Sequence, residues 1–159
     1  TAIRRQRQMC IRDRLMVELY IVLLAVTNVS AGVFHRLLGF STLMLVFGYL
    51  GETEQLGINN MTGFIGGMLF WGLCLRELWS GEAAEANAGS KNAAGHYAYD
   101  SLKKIVTFGW IIYPAGYALG YFGGGVNMDV VNQVYNLADF VNKILPGVIV
   151  WAAARMDTK

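Results

Sequence analysis

The chain has 159 residues, of which 55% are hydrophobic and only 15% are charged. With glycine counted and tyrosine left out, roughly 62% of the residues are apolar, against about 45–50% in soluble domains. This composition argues against an ordinary soluble enzyme. The net charge is +2, but five of the thirteen basic residues lie within the first fourteen positions. The remainder of the chain is slightly acidic, so we expect no nucleic-acid partner.

Residues 1–14 differ from the rest of the chain. They show neither the apolar face of an amphipathic helix nor the order of charged and apolar regions that a signal peptide has. We hypothesise that this segment is foreign or mistranslated, that the native protein continues upstream, and that residues 15–159 form the functional domain. The alternative is a genuine basic arm on a short protein.

Five apolar stretches follow in chain order. They are Leu15 to Gly32, Val33 to Gly51, Met61 to Trp79, Ile105 to Phe122 and Val130 to Ala154. A helix of about 18 to 25 residues spans the roughly 30 Å of a bilayer core. The pattern predicts an all-α membrane protein, a bundle of about five transmembrane helices. We expect a tight turn at 32–36 between the first two helices, and the longest loop at 80–100.

The connectors differ in charge, and this difference predicts the topology. The connectors at 52–60 and 123–129 contain no Lys or Arg. Seven basic residues lie in the other connectors and helix ends, namely Arg36, Arg76, Lys91, Lys103, Lys104, Arg155 and Lys159. Because basic residues accumulate on the cytoplasmic side, we expect a multi-pass protein with a cytoplasmic C-terminus.

Three acidic or basic residues lie deep inside apolar stretches, away from their ends: Glu18, Asp139 and Lys143. An isolated lysine at the centre of a membrane helix costs at least about 2.5–3.5 kcal/mol. Asp139 is four residues earlier and therefore on the same helix face. The two residues allow a structural ion pair. They equally allow a desolvated, nucleophilic lysine that forms a Schiff base with an aldehyde, with Asp139 as its counter-charge.

Aromatic residues favour the second interpretation. Trp110 and Tyr113 are three apart and Pro114 follows, while Tyr135 and Trp71 lie in two further stretches. Taken singly, each ring is explained by packing. Together, around a central lysine, rigid rings would line a slot for a flat apolar ligand such as a long conjugated aldehyde.

Two segments carry a resemblance to a known family. Residues 135–143 (YNLADFVNK) and 108–114 (FGWIIYP) closely resemble the last two helices of proteorhodopsins, bacterial light-driven proton pumps that carry retinal. Further similar segments are 18–23, 43–52 and 76–82. The resemblance covers about residues 15–159. It implies the C-terminal part of a seven-helix microbial rhodopsin, a transporter rather than an enzyme, in the bacterial inner membrane.

The resemblance also implies a role for individual residues. Lys143 would hold all-trans-retinal covalently as a Schiff base, and Asp139 would be its secondary counterion. Glu18 would be the proton donor on the cytoplasmic side, and Leu15 would tune colour as in green-absorbing members. The pocket would be lined by Trp71, Trp110, Tyr113, Pro114, Tyr135, Met44 and Gly48. The full-length protein would be a homo-oligomer in lipid, and no metal site is expected.

One departure from the family concerns the proton acceptor. The family has an Asp eleven residues before the donor Glu and a Thr seven residues before it, whereas this chain has Arg7 and Ile11 there. The primary counterion is thus missing, and the family's first two helices have no counterpart. We therefore expect this chain to pump inefficiently.

Several other functions share these residues. A photosensory rhodopsin would also have the lysine and the aromatic rings, but it does not need an intramembrane donor such as Glu18. A chloride or sodium pump is a further alternative, as is a retinal-free structural or transporter fragment. A carotenoid antenna is disfavoured because Phe64 would crowd the helix surface on which the carotenoid would lie.

Overall fold

The computed structural model describes residues 15–25, 27–122 and 128–158, and within them every regular element is helical. The helices are α1 (Leu15–Ala25), α2 (Ala31–Thr53), α3 (Asn60–Ser80), α4 (Glu82–Gly89), α5 (Ala93–Lys104), α6 (Ile112–Phe122) and α7 (Met128–Asp157). A 3-10 turn (Gln55–Gly57) follows α2, and a π-helical segment (Ile105–Gly109) continues α5 toward α6. The all-α prediction is confirmed. Residues 1–14, which carry the hypothesis of a foreign segment, lie outside the described residues.

Local sequence explains where several helices begin. Asn59 precedes α3 and its side chain accepts a hydrogen bond from the backbone N–H of Thr62. Asn92 does the same for Gly95 at the start of α5. Such caps satisfy N–H groups that have no partner inside the helix. Both helices therefore begin directly after an asparagine N-cap and not at the first apolar residue.

Two predicted connectors are wrong. The expected turn at 32–36 is helical, because α2 already begins at Ala31 and α1 ends by Ala25. The expected long loop at 80–100 contains all of α4 and the first residues of α5. Alanine-rich polar sequence has good helix propensity but low hydropathy, so a search for apolar stretches missed these helices.

The buried core lies where α1, the start of α2, the end of α3 and α5 meet. Its fully buried members include Leu19 of α1, Leu37 of α2, Leu78 of α3 and Leu102 of α5. By contrast, α7 leaves large apolar side chains exposed along its length, among them Leu137, Phe140 and Trp151. Exposed apolar surface on this scale is typical of a face that contacts lipid or another helix.

Two of the described helices are long and apolar enough to cross a membrane. They are Ala31–Thr53 and the segment Asp129–Asp157 within α7. A shorter apolar helix is Leu15–Ala25. The third predicted span matches α3 within one residue at either end. The fourth is divided between the π-helical segment and α6, with a break at Trp110 and Ile111.

A charged cluster joins three helices at one end of the bundle. Arg36 of α2 donates to Glu77 of α3 at 3.2 Å and to Glu82 of α4 at 2.6 Å. The backbone N–H of Ala83 donates to the same Oε1 of Glu77 at 3.3 Å. The cluster fixes the turn between α3 and α4 against the start of α2.

Proline interrupts the hydrogen bonding of α7 without ending the helix. Pro146 is buried inside α7. Proline has no N–H, so the helical hydrogen bond from residue 146 to the carbonyl of Asn142 cannot form. The turn that carries Lys143 is consequently held by one backbone hydrogen bond fewer than a regular helix would have.

The contact between α2 and α3 leads to a first prediction. Gly63 lies so close to Gly51 that a Cβ on Gly63 would meet the backbone of Gly51 and lie 2.7 Å from the carbonyl oxygen of Phe47. Gly63→Ala should therefore force the helices apart and destabilise the fold by about 1–3 kcal/mol. Gly72→Ala is the matched control on the same helix, since nothing lies within 4 Å of its added Cβ. Equal thermal midpoints for the two variants in detergent would contradict this packing.

The charged cluster leads to a prediction about pH. The pKa of Glu82 lies below its ordinary value of 4.5, because the Ser30 hydroxyl and the Arg36 guanidinium donate hydrogen bonds to the carboxylate. A lowered pKa stabilises the fold above the ordinary value, and this contribution is lost as the pH falls through the lowered value. Acidification from about pH 6 to about pH 3 should lower the thermal midpoint more in the native chain than in Glu82→Gln. The control Glu85→Gln, on the same helix, should keep the native pH dependence.

Candidate functional site

The predicted lysine and aspartate form an ion pair on α7. The Lys143 Nζ lies 3.5 Å from Oδ2 of Asp139, one helical turn earlier. The Asp139 side chain is 12% exposed, whereas that of Lys143 is 39% exposed. The carboxylate is thus enclosed by protein, and the amine remains accessible to a ligand.

Tyr113 holds the other oxygen of the carboxylate. Its hydroxyl donates to Oδ1 of Asp139 at 2.5 Å. Tyr113 lies in the first turn of α6, where the following Pro114 is tolerated because N–H groups there need no helical acceptor. Its backbone N–H donates to the carbonyl of Trp110 at 3.2 Å. The break before α6 therefore directs a tyrosine toward α7.

Tyr135 supports Tyr113 from α7. Its hydroxyl donates to the backbone carbonyl of Tyr113 at 2.9 Å, and the two rings lie 5.7 Å apart. The helices approach closely here, since a Cβ added to Gly116 would lie 2.6 Å from the Tyr135 ring. Glycine at this position lets the aromatic ring lie against the α6 backbone. Both predicted tyrosines are therefore brought to the ion pair.

The π-helical segment Ile105–Gly109 supplies two carbonyls to side chains of neighbouring helices. The Nε1 of Trp71 in α3 donates to the carbonyl of Val106 at 3.3 Å. The Nδ2 of Asn142 in α7 donates to the carbonyl of Gly109 at 3.0 Å. A π-helical turn alters the normal pairing of backbone groups and often marks a functional site. Side chains of α3 and α7 therefore both hydrogen-bond to this segment.

The remaining predicted residues fall into one contiguous cluster or near it. Leu15 and Trp110 are buried in the main core cluster, and the half-buried Met44, Trp71 and Tyr113 pack against it. Gly48 is half-buried on α2, with no atom within 4 Å of an added Cβ. Glu18 is half-buried on α1. The ligand-contact roles of these residues stay predictions. Arg7 and Ile11, which stand where the family has its acceptor Asp and a Thr, lie outside the described residues.

Phe64 and the two histidines have their own contacts. Phe64 stacks on Tyr117 with ring centroids 5.7 Å apart. His35 contacts the carbonyl of Ala31 at 2.7 Å, and His96 contacts that of Ser90 at 2.8 Å. Among the residues that the structure describes, no group of three or more His, Cys, Asp or Glu side chains has a geometry suited to a metal ion.

Sequence reasoning missed Asn142 and Gly109. Asn142 directly precedes Lys143, yet an asparagine in an apolar helix has many explanations. Asn142 can reach its partner, the Gly109 carbonyl, because glycine has no Cβ. A Cβ at this position would clash with the Asn142 side chain. The signal available in the sequence was a polar residue three positions after Asp139, and only the π-helical register gives it a partner.

The donor set is suited to holding an aldehyde pigment. Lys143 supplies a primary amine, the group that condenses with an aldehyde, and its Nζ lies 3.5 Å from a carboxylate oxygen of Asp139. Tyr113 contacts Tyr135 and packs against the core cluster, as Trp71 also does, and Trp110 belongs to that cluster. Such rings provide flat apolar walls.

Several known proteins are similar to this chain in sequence. A family model described as bacteriorhodopsin-like protein matches residues 14–156. A green-light absorbing proteorhodopsin of Gamma-proteobacterium EBAC31A08 is 45% identical over 141 residues, covering 88% of this chain and 55% of its own length. A blue-light absorbing proteorhodopsin of Gamma-proteobacterium Hot 75m4 is 43% identical over 141 residues, covering 87% of this chain and 55% of its own length. The chain thus spans about half the length of these curated relatives.

Two crystal structures are also similar. A blue light-absorbing proteorhodopsin from Med12 has a TM-score of 0.79 and 36% identity, covering 98% of this chain and 68% of its own. Exiguobacterium sibiricum rhodopsin has a TM-score of 0.83 and 26% identity, covering 98% and 71%. Together with the family model, which matches most of the chain, these similarities confirm the predicted resemblance: the chain belongs to the family of bacteriorhodopsin-like proteins, the microbial rhodopsins.

Proposed function

We propose that this chain is the retinal-binding part of a light-driven outward proton pump, with all-trans-retinal attached as a Schiff base to Lys143. The observation that carries the proposal is the pair of Lys143 and Asp139 in an apolar helix, with Tyr113 bonded to the carboxylate. A purely structural ion pair does not need a lysine side chain that is 39% exposed. When bound, retinal supplies the absorption of visible light and the isomerisation that changes the proton affinity of the attached nitrogen.

The side chains of this chain would hold the charge and the ligand. Asp139 places a carboxylate oxygen 3.5 Å from the lysine nitrogen, where it would act as the counter-charge of the Schiff base. Tyr113 fixes the carboxylate by donating to its other oxygen. Trp110, which is 4% exposed, and Trp71 would form rigid walls that exclude water from the apolar part of the ligand.

Glu18 favours a pump over a photosensor. It is half-buried on α1, close in sequence to the fully buried Met16 and Leu19. As the proton donor, Glu18 would return a proton to Lys143 from the cytoplasmic side. Each charge moved against a potential of 100 mV stores about 2.3 kcal/mol, which a visible photon amply exceeds.

The charge distribution supports a cytoplasmic C-terminus in a bacterial inner membrane. Arg36 contacts α3 and α4, and Asn92 at the start of α5 donates to Asp157 at the end of α7 at 2.7 Å. The helix ends that carry basic residues therefore lie together at one end of the bundle, the end that the positive-inside rule assigns to the cytoplasm. A homo-oligomer in the lipid bilayer completes the proposed state of the full-length protein.

Covalent trapping tests the attachment of retinal. The full chain is incubated with all-trans-retinal in detergent and reduced with borohydride under illumination. We expect a retinyl adduct on the peptide that contains Lys143, because this amine lies beside aromatic rings and a carboxylate. Peptide mass spectrometry locates the adduct.

The matched control is Lys143→Arg, which keeps the charge next to Asp139 but has no nucleophilic amine. Loss of the adduct in this variant, with an unchanged adduct in Lys103→Arg, supports the proposal. An adduct that persists in Lys143→Arg, or no adduct in the native chain, sinks it.

A second experiment tests Glu18 as the proton donor. In retinal-loaded protein, Glu18→Gln should slow the late, proton-uptake phase of the photocycle by about 100-fold or more, because general acid catalysis contributes about 10²–10⁴. Flash photolysis measures the rate. Glu18→Asp should restore part of it, and Glu52→Gln, at the other end of the bundle, should leave it unchanged. A photocycle insensitive to Glu18→Gln would favour the photosensor instead.

A further inference from the structure

Asn142 connects three parts of the site, and none of the assigned roles uses it. Its Nδ2 lies 3.0 Å from the carbonyl oxygen of Gly109 and 3.4 Å from the hydroxyl oxygen of Tyr113. It is also the residue before Lys143 in α7. One amide group on the lysine turn therefore contacts both the π-helical segment and the tyrosine that holds Asp139.

The orientation of the amide follows from its partners. A backbone carbonyl only accepts hydrogen bonds, so the NH₂ group of Asn142 must face Gly109. The same group has a second hydrogen, which points toward the Tyr113 oxygen. A Cβ on Gly109 would collide with the Asn142 side chain and would lie 3.1 Å from its Cγ. The Asn142 side chain therefore packs directly against the backbone of Gly109.

This orientation agrees with the direction in which Tyr113 donates. A phenol has one hydrogen, and an oxygen that receives a bond from Asn142 gives that hydrogen to another acceptor. The acceptor is Oδ1 of Asp139, at 2.5 Å. Successive hydrogen bonds polarise one another, so donation from Asn142 strengthens the bond from Tyr113 to the carboxylate.

Pro146 increases the importance of this contact. Because Pro146 cannot donate to the carbonyl of Asn142, the backbone of α7 is less constrained at the lysine turn. The side chain of the same residue is bonded to the neighbouring helix instead. Side-chain contacts thus supply part of the alignment that the helix itself lacks.

We propose that Asn142 is a positioning residue that orients the Tyr113 hydroxyl toward Asp139 and fixes the lysine turn of α7 against the π-helical segment. For the colour of the bound pigment this inference rests on the proposed function. The geometry of the Tyr113 hydroxyl does not depend on retinal, and it is tested without retinal.

The first test uses the full chain in detergent with ¹³C-labelled tyrosine. Tyr113→Phe identifies the Cζ resonance of Tyr113. Asn142→Ala should move this resonance to lower chemical shift, because the phenol then donates less strongly to Asp139. Asn142→Asp has nearly the same size as the native residue but lacks the NH₂ group. It should therefore move the resonance in the same direction as Asn142→Ala, which shows that the loss of volume is not the cause. The control is Asn136→Ala at an exposed position of α7.

Thermal unfolding gives the coupling between the two residues. The loss of midpoint caused by Asn142→Ala should fall by at least about half in the Tyr113→Phe background, since interacting residues are not additive. A Tyr113 resonance unchanged in both Asn142 variants, or fully additive midpoints, overturns the proposal.

The second test uses retinal-loaded protein. Asn142→Ala and Asn142→Asp should each shift the absorption maximum, and the shift caused by Asn142→Ala should vanish in the Tyr113→Phe background. A shift that persists there means that Asn142 acts on the pigment directly, which overturns the positioning role. If retinal does not bind at all, the proposed function fails, while the resonance and the unfolding cycle still decide the role of Asn142.

Discussion

The desolvation of two opposite charges on α7 constrains the rest of this structure. A lysine alone inside an apolar helix is costly, and a buried carboxylate alone is equally so. Placed one turn apart, Asp139 and Lys143 offset part of each other's cost. The pair still needs further hydrogen bonds, because Coulomb attraction rarely repays the full penalty. Tyr113 provides one of them through its hydroxyl.

The irregular start of α6 and a glycine within it position the side chains that make these hydrogen bonds. α6 begins only after a break, and this break turns Tyr113 toward α7. Gly116 then allows the ring of Tyr135 to lie against the α6 backbone and to bond the Tyr113 carbonyl. Two departures from regular helix, a π-helical turn and a break, are thus tied to the same carboxylate.

The sequence predicted features that depend on local spacing and failed where partners come from distant helices. The four-residue interval between Asp139 and Lys143 determines their contact, so the ion pair was predictable. α4 was missed because its alanine-rich sequence is helical without being apolar. Asn142 was missed because its partner Gly109 is reached only through a π-helical register, which no periodicity in the sequence announces.

Pro146 has a mechanical consequence for α7. The end of this helix is tied to α5 by the bond between Asn92 and Asp157, while the middle is tied through Asn142. One backbone hydrogen bond of the helix is absent between these two contacts, so α7 bends more easily there. A small tilt of the turn that bears Lys143 is then absorbed locally, and the end of the bundle that contains Asn92 and Asp157 keeps its shape.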